Sequence, residues 1–292
     1  MDLSLDLLGN AIVSGLLLGG FYAAMTVGLS VAFGMLDIVN IAHPAFVILG
    51  SYVAYAANNA FGIDPIVAGI VAMLPFYLIG VVVYQVYYLA FERRGEASLQ
   101  GLAFFVGLLF ITEVALLLVF GVDYHMVDTP YVQGTIHLGV IGLPLRLLVP
   151  CLVSLALIAT LQQFLSRSFT GRAILAVAQD ELALRLMAAD PRRIKRIAFG
   201  ISIATTAVAG AVLIVVQPIE PSTARDYIGR VFAICVLGGL GSIPGTVAAA
   251  MALGIVESLT ATFYGPSWAP AVAFGFLLIA LAVRPAGLFG RR

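Results

Sequence analysis

The sequence predicts an all-α polytopic membrane protein with about eight membrane segments, one of them a broken, re-entrant helix pair around 231–263. Three observations predict it. Hydrophobic residues fill 62% of the 292 positions and charged residues only 10%, where soluble domains carry about 25% charged residues. The apolar residues gather into windows close to the roughly 20 residues that a helix needs to cross hydrocarbon. The charges gather between those windows, away from a bilayer centre where Arg or Lys costs about 2.5–3.5 kcal/mol.

In chain order the windows fall at 8–33, 45–57, 66–90, 101–120, 147–165, 197–216, 231–263 and 269–283. The first follows Met1-Asp2-Leu3-Ser4-Leu5-Asp6, which has no basic n-region, so it reads as a retained span and not a cleaved signal. The second is short unless 38–44 belongs to it. Within that stretch Pro44 disfavours helix at His43, so Asn40 and His43 lie on non-helical backbone, where they either line a cavity or satisfy backbone groups. The seventh window is too long for one simple helix, and Gly238, Gly239, Gly241, Pro244 and Gly245 interrupt it. We read a half-helix, a turn and a second helix, since non-helical backbone at membrane depth is tolerated only inside protein or beside a wet cavity. Gly15/Gly19 and Thr206/Gly210 form small-x-x-x-small pairs that allow close helix packing. The loop 121–144, with short strands expected around 131–141, is either a surface for an external partner or a passive connector.

Orientation follows from the cations. The stretch 167–196 holds seven of the fifteen Lys and Arg residues, and positive charge in a short loop marks the cytoplasmic side. Placing it inside with Arg93, Arg94, Arg284, Arg291 and Arg292 makes twelve of the fifteen cytoplasmic. Arg146, Arg225 and Arg230 are then read as outside loop residues. The amino terminus lies outside, the carboxyl terminus inside, and the broken pair 231–263 enters and returns on one face. A straight helix there with an outside carboxyl terminus is the competing topology. No second soluble domain fits, so 1–292 is one transmembrane domain with a cytoplasmic loop, 166–196, inside it. In that loop 172–187 contains no Gly or Pro and reads as one helix, capped by Thr170 or Ser168 and stopped by Asp190-Pro191. It is either a handle offered to a soluble motor or a solvated helix that only sets orientation.

Little chemistry is available within the chain. The only lysine, Lys195, is followed by Arg196, which rules out a phosphate-cradling G-x-x-x-x-G-K-[ST] loop. Gly239-x-Gly241 with Gly245 lacks the spacing of a dinucleotide loop. Cys151 and Cys235 lie in apolar runs and read as small core residues, not a disulfide. His43, His125 and His137 are scattered without metal-ligand spacing, and there is no basic tract for nucleic acid. Neither a metal site nor a catalytic constellation stands out, which argues against an intramembrane enzyme. The acids inside predicted spans are Glu113 and Glu257, functional candidates because burial without a partner is costly. Glu257 either bonds the backbone freed by the glycine-rich break or lines a substrate path.

These residues resemble a known family. Gly19-Gly20-Phe21-Tyr22-Ala23 with Gly28-Leu29 and Phe33-Gly34, Ile38-Val39-Asn40-Ile41-Ala42-His43, Thr170-Gly171-Arg172-Ala173, Val236 to Gly245 with Leu253-Gly254-Ile255-Val256-Glu257, and Arg284-Pro285-Ala286-Gly287-Leu288-Phe289-Gly290 together resemble the inner-membrane permease subunits of branched-chain amino acid ABC transporters. The wider group also serves urea, short amides and aromatic acids. Three departures stand out: Pro44-Ala45 where the family has Gly-Glu, Met187-Ala188-Ala189-Asp190 where it has L-G-I-N, and Arg93-Arg94-Gly95-Glu96 where it has Y-R-P-x-R.

The resemblance implies a permease in a bacterial inner membrane, contacting membrane lipid and pairing with a second related permease or a second copy of itself. It implies two cytoplasmic ATPase subunits, which bind ATP and Mg, and a periplasmic solute-binding protein; the chain itself carries no cofactor. It places Thr170, Gly171, Arg172, Asp180, Glu181 and Arg185 at the ATPase contact. Asn40, His43, Glu113, Ser242 and Glu257 are the candidates for the path. The competing function is an ion-coupled carrier or passive channel for a small polar solute, which shares broken helices and buried acids with some carriers.

Overall fold

A computed structural model describes residues 5–94, 99–138, 141–186 and 189–268, and positions 270–272, 274, 275, 278, 282, 287 and 289. Among the described residues lie ten α-helices: α1 Leu5–Leu36, α2 His43–Phe61, α3 Pro65–Ala90, α4 Leu99–Phe120, α5 Leu145–Arg167, α6 Phe169–Val177, α7 Glu181–Leu186, α8 Pro191–Val216, α9 Ala224–Gly238 and α10 Ile243–Phe263. A hairpin of β1 Thr135–Leu138 and β2 Ile141–Pro144 interrupts them, pairing Thr135 with Pro144 and Leu138 with Ile141.

The all-α membrane fold holds. Six of these helices, α1, α3, α4, α5, α8 and α10, are long and apolar enough to cross a membrane. Helix α2 is not among them, and α9, at 15 residues, extends only about 22 Å at 1.5 Å per residue. The eighth window lies mostly outside the described residues, although its described positions are helical. Helices α8 and α1 form the centre, with 94% and 83% of their most apolar windows buried, against 28% for α3 and 17% for α4. A helix apolar on all sides must be surrounded, and α8 is enclosed by α1, α2, α3 and α5.

Small residues set the closest approaches. A Cβ on Gly15 would lie 2.6 Å from the Cα of Ile255, and one on Gly19 2.6 Å from the Cα of Met251, so α1 and α10 touch backbone to backbone. Gly210 packs on Val47 and Ser51 of α2, and the Ser51 hydroxyl donates to the Gly210 carbonyl at 2.7 Å. Both small-residue pairs therefore sit where helices meet.

Contacts along α1 fix the direction of its neighbours. Asn10 accepts from the Gly142 N–H at 2.8 Å and Gly20 meets Cys151, so α5 runs with α1. Gly15 meets Ile255 while Ser30 meets Thr246, so α10 runs against it. Helix α9 runs with α1, because Tyr227 packs beside Phe21 and Phe232 beside Phe33. The α9–α10 pair thus goes in and comes back, as the charge pattern required. The residues 62–64, 121–138, 141–144 and 217–223 collect at one face, and Glu92–Arg94, α6, α7 and the break 239–242 at the other.

Several expectations need correction. Residues 172–187 do not form one helix: α6 ends at Val177, a turn occupies 178–180, and α7 begins at Glu181. Asp180 explains the interruption, since Asp favours the position before a helix over the interior of one. Of the two proposed caps Ser168 is used, accepting from Gly171 N–H at 2.8 Å. Asp190 caps α8 through the Arg192 N–H at 3.0 Å. The expected strands lie slightly later in the chain, at 135–144. Their loop is tied down by the Tyr131 hydroxyl, which donates to Asp64 at 2.7 Å; burial and that carboxylate hold the Tyr131 phenol above its ordinary range. Both cysteines are free and buried. His125 is held by a two-way backbone bridge to Ile219 and by the rings of Tyr52 and Tyr55.

Candidate functional site

Two of the path candidates, Asn40 and His43, are neighbours in the sequence and share one buried locus, although His43 opens helix α2 and does not lie on the non-helical backbone expected of it. At Asp37, with φ +62°, the chain reverses after α1, and residues 37–42 turn back into the bundle without helix. Helix α2 then starts at His43 with Pro44 in its first turn, where a missing N–H costs nothing. His43 is fully buried; its Nε2 lies 3.0 Å from the Met25 carbonyl, and its Cε1 faces Gly28 beside Thr205. Thr205 is near the midpoint of α8, so the end of this irregular stretch, where it enters α2, lies halfway along the bundle. Asn40 accepts the His43 N–H at 3.2 Å through its backbone carbonyl. Its own amide is fully buried, and neither the nitrogen nor the oxygen finds a partner among the described residues; nor does His43 Nδ1. Buried polar atoms are paired in about nine cases of ten. Three orphaned ones side by side mark a place built for something besides packing.

Hydroxyls surround this point. Ser202 donates to the Gly28 carbonyl at 2.6 Å, Thr205 to the Ser202 carbonyl at 2.8 Å, and Thr246 to Ser30 at 3.1 Å. No charge pattern betrays them, and the sequence reading did not single out any of the four hydroxyl residues.

Glu257 and Glu113 are not lone acids. The Glu257 carboxylate accepts from Arg230 Nε at 2.8 Å and, by a short bond, from the Tyr22 hydroxyl. The reading that Glu257 bonds backbone freed by the break fails, because the break is at the other end of α10. Glu113 takes a two-pronged contact from Arg225, at 3.0 Å to Nε and 2.7 Å to the terminal nitrogen. Arg225 and Arg230, read as outside loop residues, are in α9. Tyr22 is one helical turn from Met25, so the Glu257 cluster adjoins the His43 locus along α1. Glu113 and Ser242 stand apart from it.

The break itself is a tight turn at the basic face. Gly239 and Gly241 take φ of +92° and +79°, which side chains resist. Ser242 caps α10, accepting from Gly245 N–H at 3.1 Å, and Pro244 sits in the first turn of α10. Gly238 and Gly245 face each other so closely that neither has room for a Cβ. The turn borders a cavity of about 430 Å³ whose wall includes Gly34, Leu165, Ala178, Gln179, Leu240 and Ser242. The cavity therefore joins the break to the turn between α6 and α7. The break lies level with the last turn of α1; of the irregular stretch 37–42, only the end that runs into His43 reaches the middle of the bundle.

On that same face α6 turns Gly171, Ile174 and Val177 inward. Gly171 approaches Leu165, where a Cβ would lie 2.5 Å from the Leu165 Cα. Thr170 is half-buried, while Arg172, Asp180 and Arg185 are exposed; the Glu181 side chain lies outside the described residues. Two large apolar side chains, Phe169 at 83% and Leu186 at 81% exposure, stand at either end of this segment. The sequence reading passed over both, because apolar residues attract no notice in an apolar chain. Among the described residues no group of His, Cys, Asp and Glu could hold a metal ion.

Comparison with known proteins places the chain. A family model described as "Branched-chain amino acid transport system / permease component" matches residues 11–281. The chain is 28% identical to the high-affinity branched-chain amino acid transport system permease protein BraD of Pseudomonas aeruginosa, over 96% of this chain and 95% of that protein. It is 28% identical to LivH of Escherichia coli K12, a permease protein of the same description, over 95% and 94%. LivM of the same organism, again so described, is 26% identical over 91% of this chain and 67% of its own length. No solved structure matches. With six helices long and apolar enough to cross a membrane and a family match across most of its length, the chain is a multi-pass membrane permease and belongs to the branched-chain amino acid transport system permease component family.

Proposed function

We propose that this permease admits branched-chain amino acids or closely related small solutes through a bacterial inner membrane, driven by ATP hydrolysis in partner subunits. The observation that carries the coupling reading is the exposed segment α6–α7, with apolar ends at Phe169 and Leu186 and charged residues between them. Exposed apolar side chains of that size beside charge are what a protein interface uses as anchors. Two cytoplasmic ATPases dock there and bind ATP and Mg themselves. A second permease, either a LivM-like relative or another copy, completes the path, and a periplasmic binding protein delivers solute to the opposite face.

Closure of the motors pulls on α6–α7. Through the cavity wall at Ala178 and Gln179 that motion reaches Gly239–Ser242, and through α9–α10 it reaches the Glu257 cluster and the His43 locus. The bundle thereby alternates its access, each motor state favouring one arrangement by its differential contacts. Pairing of Glu113 and Glu257 with arginines supports this reading over an ion-coupled carrier, since neither acid is left alone to bind a proton or cation.

The test is reconstitution of the permease pair with its ATPases and binding protein in proteoliposomes. Leucine, isoleucine and valine uptake is expected to require ATP inside, and Phe169→Ser with Leu186→Ser to weaken ATPase docking at least about thirtyfold, the loss of one interface hot spot of about 2 kcal/mol. Arg172→Glu is expected to lower uptake and solute-stimulated ATP hydrolysis together. Uptake by the permease alone under an ion gradient would favour a carrier instead.

A further inference from the structure

A second cavity lies away from the path residues and borders the coupling segment at Arg185. It measures about 890 Å³ and opens at the basic face, between the ends of α3 and α8. Four cations line it, Arg93, Arg185, Arg192 and Lys195, against two acids, Glu92 and Asp190. Lys195 pairs with Glu92 at 2.8 Å, and Tyr84 also donates to Glu92 at 3.1 Å. Asp190 is engaged as the cap of α8. The guanidinium carbon of Arg192 lies over the Tyr88 ring, 4.2 Å from its centre. Its Nε is buried with no hydrogen-bond partner among the described residues. Arg93 is exposed and makes no ion pair among the described residues. The cavity is therefore cationic, with one arginine set against an aromatic ring and its Nε short of an acceptor among the described residues.

What leads to the cavity identifies its ligand. Helix α3 buries Ala68, Gly69, Ala72, Phe76, Gly80, Val83, Tyr84 and Tyr87. Its other side is a continuous apolar stripe at helical spacing: Val71, Leu74, Leu78, Val82, Val86 and Leu89 are each between 46% and 71% exposed. Four residues beyond Leu89, one turn on, stands Arg93. An apolar track the length of a membrane helix that ends in a cationic hollow matches an acyl chain with an anionic head. A basic pocket between helix ends at the interface is the kind that holds phospholipid headgroups.

The geometry points to a binding site for an anionic phospholipid: acyl chains along the exposed stripe of α3, and the phosphodiester between Arg93 and Arg192 beside Tyr88. Arg192 is suited to it, because a guanidinium presents a planar fork to phosphate oxygens. Arg185 lies on α7, so a bound headgroup also ties the start of α8 to the segment proposed to meet the motor. The site itself does not depend on which solute is carried or which face is cytoplasmic.

The test is native mass spectrometry of the purified full chain, titrated with phosphatidylglycerol, phosphatidylcholine of the same chain length, or inorganic phosphate. Retained phosphatidylglycerol is expected, with little phosphatidylcholine and no saturable phosphate. Removing both free charges in Arg93→Gln/Arg192→Gln is expected to weaken phosphatidylglycerol about thirtyfold, at roughly a factor of five per interfacial cation. Arg192→Lys, which keeps the charge but not the planar stack, is expected to bind in between, and it carries the test should the double variant not fold. Equal retention of the two lipids, or unchanged binding in the variants, overturns the site. Phosphate bound as tightly as phosphatidylglycerol overturns the lipid assignment and leaves a free-anion site.

Discussion

Asn40 carries a buried amide with both polar atoms unpartnered among the described residues, a feature most proteins eliminate. A buried donor or acceptor without a partner costs about 1–3 kcal/mol, whereas an apolar group of the same shape costs nothing of that kind. Leucine has nearly the outline of asparagine. Asn40→Leu is therefore expected to raise thermal stability in detergent while reducing solute uptake, the opposite directions that mark a residue retained for function. Asn40→Ala separates the two effects, because it loses the amide and also leaves a void. Loss of both stability and uptake in Asn40→Leu would mean that the amide has a structural partner, such as buried water, and the transport role would fall. His43 beside it already uses Nε2 on the Met25 carbonyl, so Nδ1 is the ring atom left to face the same space.

At the scale of elements, the α9–α10 hairpin is fastened to α1 by one ionic knot. Arg230 comes from α9, Glu257 from α10 and Tyr22 from α1, and the pair is almost closed to solvent, with side-chain exposures of 16% and 5%. Breaking a buried pair by removing one partner costs about 3–5 kcal/mol, while removing both charges together costs far less. Glu257→Ala is accordingly expected to lower the unfolding temperature sharply, and Glu257→Gln/Arg230→Gln to recover most of the loss; unfolding followed by tryptophan or circular dichroism signals reads both. Additive losses would show that the two side chains do not form a pair. The knot also explains what the sequence could and could not reveal. Windows of apolar residues located the spans and the glycine-rich break, because length and glycine leave local marks. They started the seventh window after Arg230, since hydropathy counts each charge as a penalty and cannot see that Glu257, 27 residues from Arg230, and Glu113, 112 residues from Arg225, cancel it. The same locality hid the mid-membrane start of α2: only the packing of His43 on Gly28 and Thr205 reveals its depth.

For the whole molecule, net charge is zero, yet twelve of fifteen cations fall at one face by the reading of the sequence. The structure arranges the described loops into the same two sets, with 121–144 on one side and α6–α7 on the other. The asymmetry of Lys and Arg is the argument for α6–α7 on the cytoplasmic side, because cations in short loops are retained there. Two exposed positions test it. Asp123→Cys lies in the long loop, and Gln179→Cys in the turn between α6 and α7. The native Cys151 and Cys235 are 6% and 0% exposed, so a membrane-impermeant maleimide should leave them unlabelled. In cells whose outer envelope is permeabilised, position 123 is expected to label and 179 to stay protected; inverted vesicles should reverse the result. Labelling of both positions from one side would break the arrangement of spans, and labelling of 179 alone from outside would invert the molecule, taking the proposed motor contact away from the compartment that holds ATP.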